Sequence, residues 1–231
     1  PDWLQMDKAG HFAPAYQIHA LSAASYRWAG IGPRRAAWYG AIVSTAFLGT
    51  VEILDGFSAE WGFSPYDMIA NLMGSAWFIG QEYLWKEQKI LVKWSHYPSG
   101  LADYRPDLLG RNLPERILKD YNGDTYWLSF NIAAFNNNLN VFPNWLNLAL
   151  GYGAYGMLGG RNNPEHHDGI ALPQLERYRQ WYVSPDVDFS RIPTNSRILG
   201  GLFQVLNIIK FPAPALEYNR VEGIRFHWLF F

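Results

Sequence analysis

The spacing of apolar residues changes near residue 87. Before it, apolar positions recur with a helical period. After it, they alternate in short runs between Gly, Pro and Asn clusters, the pattern of strands. Three helices are predicted in the first half. The first covers residues 8–28 and stops at Gly30-Ile31-Gly32-Pro33; the second covers residues 34–54 and stops near Gly56. The third starts at Ser64-Pro65 and runs to about Lys86. Ser64 is a good N-cap, Pro65 suits the first turn, and Asp67 sits where a capping acid belongs. A helix of about 20 residues is about 30 Å long, enough to cross a bilayer core. The uncharged runs, residues 36–51 and 68–80, fall short of the ~18 apolar residues that mark a span by themselves. Small residues recur at Gly40, Ser44, Ala46 and Gly49, and at Ala70, Gly74, Ser75 and Gly80. Helices carrying them can approach closely.

The second half predicts an antiparallel sheet with unlike sides. Tyr126, Leu128, Phe130 and Ile132 share one face, opposite Ser129 and Asn131. Leu146, Leu148, Leu150 and Tyr152 oppose Asn147, Ala149 and Gly151. Trp181, Val183, Val187 and Phe189 oppose Tyr182, Ser184, Asp186 and Asp188. Near the C-terminus Ile224, Phe226, Trp228 and Phe230 oppose Arg225 and His227. "KILVKWSH" and "APALEYN" are weaker strands. Residues 196–210 fit an amphipathic helix through Ile198, Leu202, Val205, Leu206 and Ile209, despite Gly200-Gly201. Residues 99–123 and 161–168 read as loops.

The expected fold is therefore α+β. A three-helix N-terminal bundle (residues 1–87) packs with an antiparallel sheet or partial β-barrel (residues 88–231) as one structural unit. Four good strands and two weaker ones fall short of the roughly eight in the smallest membrane barrels. A part-sheet completed by the helices, or by a partner, accounts for that number.

Composition moves this fold towards a membrane. Charged residues and aromatics each make up 17% of the chain, with 11 Trp, 14 Tyr and 14 Phe. Trp and Tyr favour boundaries that are apolar on one side and wet on the other. A net charge of −1 with scattered Lys and Arg gives no footprint for nucleic acid. With no Cys, disulfides, thiolate zinc sites, thiol catalysis and a lipidated Cys are excluded within this sequence. The start, Pro1-Asp2-Trp3, reads as processed or trimmed. The aromatic end at Phe231 resembles the terminal signal of outer-membrane β-barrel proteins.

Against this apolar background the stretch "VEILDGFSAEWGFSPYDMIANLMG" holds Glu52, Asp55, Asp67 and Asn71. In an up-down-up bundle the start of helix one, the end of helix two and the start of helix three share one level. Asp7 and His11, Glu52 and Asp55, and Asp67 and Asn71 are each spaced to share a helix face. Asp7, Lys8, His11, Glu52, Asp55, Asp67 and Asn71 are thus expected to converge. Such a cluster suits acid–base work or a hard divalent cation. It equally suits a network of caps and ion pairs that fixes helix register.

His166-His167-Asp168 has the look of a metal tract, but adjacent side chains on an extended chain point opposite ways. His19, His96 and His227 read as packing, strand or loop residues. No catalytic-triad spacing, phosphate loop, HExxH or dinucleotide fingerprint is present. The sequence names no cofactor.

"DKAGHF" (residues 7–12), followed by Glu52-x-x-Asp55-Gly56, Trp61-Gly62-Phe63-Ser64 and Asp67-x-x-x-Asn71-x-x-Gly74, resembles the YfiM-like family of predicted periplasmic or outer-membrane lipoproteins of unknown function. More distantly it is similar to VanZ-like membrane proteins, which share a DK-x-x-H, Glu, Asp and Asn-x-x-Gly layout on helices. The motif core spans residues 7–80. "KDYNGDTYWLSFN" and "FPNWLNLALGYGAYGM" look like the longer forms of Bacteroidetes-type envelopes. The resemblance implies a Gram-negative envelope protein of the outer membrane, with no established reaction. The missing Cys departs from a lipoprotein pattern. It implies either a truncated chain or a hold on the membrane through the chain's own apolar surface.

Three functions are consistent with these features. The first is a non-catalytic subunit of a larger envelope assembly, with membrane lipid and protein as partners. The second is a membrane-interface hydrolase or transferase acting on a lipid or cell-wall precursor. It would use His11, Glu52, Asp55 and Asp67 as acid, base or ion ligands, with Asp7, Lys8 and Asn71 around them. The third is a carrier of a small apolar ligand held between sheet and helices.

Overall fold

The computed structural model describes residues 2–57, 62–135 and 142–231. Trp61 of the Trp-Gly-Phe-Ser motif lies outside the described residues.

Three long helices come first: α1 (Met6–Trp28), α2 (Pro33–Asp55) and α3 (Pro65–Trp85). Their starts follow from local chemistry. Pro33 and Pro65 occupy the first helical position, and the Ser64 hydroxyl accepts from the Asp67 N–H at 3.3 Å. α1 lies between the other two, and glycines let it approach both. A Cβ on Gly74 would sit 2.2 Å from the Phe12 carbonyl oxygen. One on Gly40 would sit 2.7 Å from the His19 ring. The buried Ser44 hydroxyl donates to the Ala15 carbonyl at 2.8 Å, and Ser75 donates to Ser44 at 3.2 Å. The interior of the bundle is therefore lined by small and polar groups. Its outer faces are apolar: Trp38, Ile42, Phe47 and Ile53 on α2, and Ile69, Leu72 and Met73 on α3, are exposed. α2 is long and apolar enough to cross a membrane by length and composition.

The sheet has six strands in the order β1-β2-β3-β6-β7-β8, every neighbour antiparallel. They are β1 (Ile90–His96), β2 (Asp124–Asn131), β3 (Leu146–Tyr155), β6 (Tyr178–Val187), β7 (Ala213–Asn219) and β8 (Gly223–Phe230). Both weaker sequence candidates, β1 and β7, are full members. A separate two-stranded piece pairs β4 (His166–His167) with β5 (Ile170–Ala171). Among the described residues the sheet does not close into a barrel.

The alternation is inverted relative to a soluble sheet, in which the apolar face is the buried one. Asn147, Ala149, Ser184, Asp186, Ala215, Glu217 and Asn219 are buried. Leu148, Leu150, Trp181, Val183, Leu216 and Tyr218, on the opposite face, are exposed. The sheet curls around its polar side. Trp127 of β2 packs against Tyr182 of β6 and Phe230 of β8, with ring centroids 5.7 and 6.0 Å apart. Gly151 makes room for the indole, since a Cβ there would lie 2.7 Å from it. A bulge where β7 meets β8 breaks the simple alternation of β8, and so Phe230, Trp228 and Ile224 do not share one environment.

The helical bundle covers part of the outer apolar face. Ala13, Tyr16 and Phe78 from the helices cluster with Val92 of β1, with Leu128 and Tyr126 of β2 beside them. The outer face of β3, β6, β7 and β8 stays bare.

Several boundaries differ from the sequence reading. Ile132 does not extend β2: the Asn131 side chain accepts from the Ala134 N–H at 2.8 Å and turns the chain into a short helix, α6 (Ile132–Phe135). Residues 99–123 contain a 3-10 helix (Leu101–Tyr104) and two short α-helices, α4 (Pro106–Leu109) and α5 (Leu113–Lys119). Asn112 caps α5, accepting from the Glu115 N–H at 3.1 Å. The amphipathic helix α7 (Arg197–Leu206) ends before residue 210. The chain beyond it pairs with the edge of β1: Trp94 N–H donates to Ile208 at 3.0 Å, and Lys210 N–H donates to Trp94 at 2.9 Å.

Candidate functional site

The three long helices bring Asp7, Lys8, His11, Glu52 and Asp67 together at one end of the bundle. The Lys8 ammonium bonds Asp7 at 2.8 Å and also pairs with Asp67 Oδ1. His11 stands between two carboxylates. Its Nδ1 lies 3.3 Å from Glu52 Oε1, and its Nε2 lies 3.7 Å from Asp67 Oδ2. One ligand atom each from His11, Glu52 and Asp67 fall within 4.8 Å of one another.

Glu52 and Asn71 are 2% and 4% exposed. Burial pushes the Glu52 carboxyl above its usual range, and the charges of Asp67 and Asp55 push the same way, against His11 and the Ser64 N–H. Burial also opposes the charge on Lys8, but hydrogen bonds to Asp67 and Asp7 outweigh it and raise its pKa. Among the described residues, Glu52 Oε1, Asp7 Oδ1 and both side-chain polar atoms of Asn71 are buried without a hydrogen-bond partner. Unpartnered buried groups are costly and call for a physical reason.

Two sequence-nominated residues sit differently. Asp55 acts on Glu52 through its charge but forms no ion pair among the described residues. Asn71 lies one turn beyond Asp67, between Asp67 and the Gly74 contact with α1, yet its side chain bonds to nothing among the described residues. Chemically, an imidazole flanked by a carboxylate at each nitrogen can hold a proton as an imidazolium bridge or give one nitrogen to a cation.

The other histidines are placed apart from this cluster. His167 Nε2 pairs with Asp107 at 3.0 Å, and the exposed His166 does not join it. His96 pairs with Asp124 at 2.9 Å and His227 with Glu217 at 2.7 Å. His19 is fully buried, its ring 4.2 Å from that of Phe78.

The sequence reading missed a second polar centre inside the sheet. Lys93 bonds Asp186 at 2.9 Å, with neither side chain exposed. Asp186 also accepts from Ser129 at 2.6 Å and from the Phe211 N–H at 3.1 Å. Asp188 accepts from Asn207 at 2.9 Å and pairs with Arg191 at 3.1 Å. A signal was present: Ser184, Asp186 and Asp188 share one face of a strand. The alternation does not say that this face is the inner one.

Residues 3–79 match a family model described as "Predicted periplasmic lipoprotein (DUF2279)". The match covers a third of the chain, from the start of the bundle almost to the end of α3, and includes every residue of the cluster. Over that part the chain is similar to an uncharacterised family of predicted periplasmic lipoproteins, which supports a place in the cell envelope. No curated protein and no solved structure matches the chain.

Proposed function

We propose that this protein is a non-catalytic subunit of a larger assembly in the Gram-negative outer membrane, seated in lipid through its outer apolar face. The observation that carries the reading is the inverted sheet with an open edge. A curled sheet that buries Asp186, Glu217 and Asn219 and exposes Leu150, Trp181 and Leu216 has the polar-in, apolar-out order of outer-membrane barrels. Among the described residues, β8 has a strand neighbour on one side only. Lipid cannot satisfy the backbone groups of a free sheet edge, and a strand from another protein can. The resemblance to YfiM-like proteins agrees with the location.

The test is tryptophan quenching by brominated lipids in vesicles, together with the native mass in mild detergent extracts of the envelope. Quenching of Trp181 and a defined assembly that dissolves when Pro is placed along β8 support the reading. An unquenched, monomeric protein overturns it.

A second reading has one observation in its favour. A largely apolar groove of about 740 Å³ runs between Phe12, Met73, Leu150 and Trp181, with Lys8 at its lining. It would let an acyl chain lie beside the His11–Glu52–Asp67 cluster, as a hydrolase or transferase on a lipid precursor requires. Loss of phenotype in Asp67→Asn, with unchanged fold and assembly, would favour this reading over the first.

A further inference from the structure

We infer that His11, Glu52 and Asp67 form a binding site for one divalent transition-metal ion, with Zn²⁺ the best-fitting species.

The donor set points to the ion class. One imidazole nitrogen with two carboxylates is a mixed nitrogen–oxygen set, typical of zinc and its neighbours, whereas Ca²⁺ and Mg²⁺ favour oxygen alone. The three ligand atoms lie within 4.8 Å of one another. Donors at roughly 2.0–2.1 Å around a tetrahedral Zn²⁺ are about 3.3 Å apart. The present cluster is wider than that, and its two short contacts use opposite ring nitrogens of His11, so an ion held by one nitrogen would draw the farther carboxylate in.

The orphaned polar atoms give the independent reason. Glu52 Oε1 is buried, faces His11 at 3.3 Å and has no hydrogen bond among the described residues. Asn71, one turn beyond Asp67, is 4% exposed with its amide oxygen and nitrogen both unpartnered among the described residues, on the stretch of α3 that packs against α1. A structural network of caps would have satisfied these atoms. A cation held by His11 and Asp67 would satisfy the Glu52 oxygen.

The surroundings fit an ion of charge two. Asp7, Glu52 and Asp67 bring three negative charges when ionised, and Lys8 brings one positive charge. With His11 neutral, as a ligand must be, the group carries a surplus of two negative charges. Lys8 holds Asp67 by Oδ1, while Oδ2 is the oxygen nearer His11. Asp7 in turn holds Lys8. This is the outer support that orients a ligating carboxylate. Lys8 is thus a positioning residue.

The experiment uses the full chain in mild detergent, stripped with a chelator, and titrates Zn²⁺ by calorimetry and Co²⁺ by visible absorption. One Zn²⁺ per chain and Co²⁺ ligand-field bands are expected. His11→Gln should weaken binding by roughly 100-fold or more, and Lys8→Met by about 10–100-fold, as for removal of a supporting partner. If His11→Gln does not fold, Asp67→Asn and Lys8→Met carry the test; at least tenfold weaker Zn²⁺ binding in both supports the site. His167→Gln should bind as the parent does. The site is overturned by no Zn²⁺ binding to the folded parent, by equal binding in the cluster variants, or by loss of binding in His167→Gln. The readouts do not involve lipid or partners, so failure here leaves the membrane-subunit reading standing, and the reverse.

Discussion

Lys93 and Asp186 form a 2.9 Å ion pair with neither side chain exposed, although two strands separate β1 from β6 in the sheet. In a flat sheet, strands three places apart lie about 14 Å from each other. The pair therefore measures how tightly the sheet coils. It also fixes which face is inside. Breaking a buried pair from one side strands a charge and costs about 3–5 kcal/mol. Asp186→Ala should lose that much, because Ser129 and the Phe211 N–H lose an acceptor as well. Lys93→Met should lose less, since Asp186 keeps both. Urea unfolding in detergent micelles reads the order; equal and small losses would mean the pair does not hold the coil.

The close helix approaches give a second prediction. Gly74→Val places carbon against the Phe12 carbonyl and must push α3 from α1, at a cost of about 3 kcal/mol or more by overpacking. Gly80 has nothing within 4 Å of its would-be Cβ. Gly80→Ala should raise stability by about 0.5–1 kcal/mol through helix propensity. Thermal unfolding midpoints of the two variants should move in opposite directions.

Bare apolar positions on the sheet give a third. Leu150 is 46% exposed. On a soluble protein, charge at such a position changes stability by about 0.5 kcal/mol or less. On a lipid-facing strand Arg costs about 2–4 kcal/mol near the midplane. Leu150→Arg should therefore cut the yield of protein refolded into vesicles sharply and leave detergent solubility intact. An unaffected yield would place this face in water.

Lys210 gives a pH dependence. Burial pushes its ammonium down to about 8 from 10.5, while its Nζ lies 4.8 Å from the Trp127 ring centre. Between these values the unfolded chain holds a proton that the folded chain has released, so stability rises with pH. Below about pH 8 the full cost is present, on the order of 3 kcal/mol. Lys210→Met should flatten the rise between pH 8 and 10.5. A parent whose unfolding midpoint does not rise across that window would rule the effect out.

Helices and strands were legible because each is long enough to show its period. Ser64-Pro65 and Gly32-Pro33 fixed two helix starts almost to the residue. Convergence of His11, Glu52 and Asp67 followed from i,i+3 and i,i+4 spacings within each helix and the up-down-up order of three helices, both local rules. Three features were not legible. Ile132 continues the alternation, but a side-chain cap from Asn131 turns the backbone, a bond that periodicity does not encode. The orphan state of Asn71 depends on what fails to reach it. The inversion of the sheet depends on which way it curls, and alternation is symmetric with respect to that choice.

The inversion also redistributes which substitutions the chain can accept. Outward positions such as Leu148, Val183 and Leu216 are exposed, so their shape is freer than their chemical character. Inward positions such as Ser129, Gly151 and Asp186 are each held by a particular partner. Across an evolving lineage the surface of this sheet should drift among Leu, Ile, Val and Phe while admitting almost no charge, and its interior should keep individual polar residues. Greasy and interchangeable outside, polar and irreplaceable within, it reverses the usual bookkeeping of protein variation.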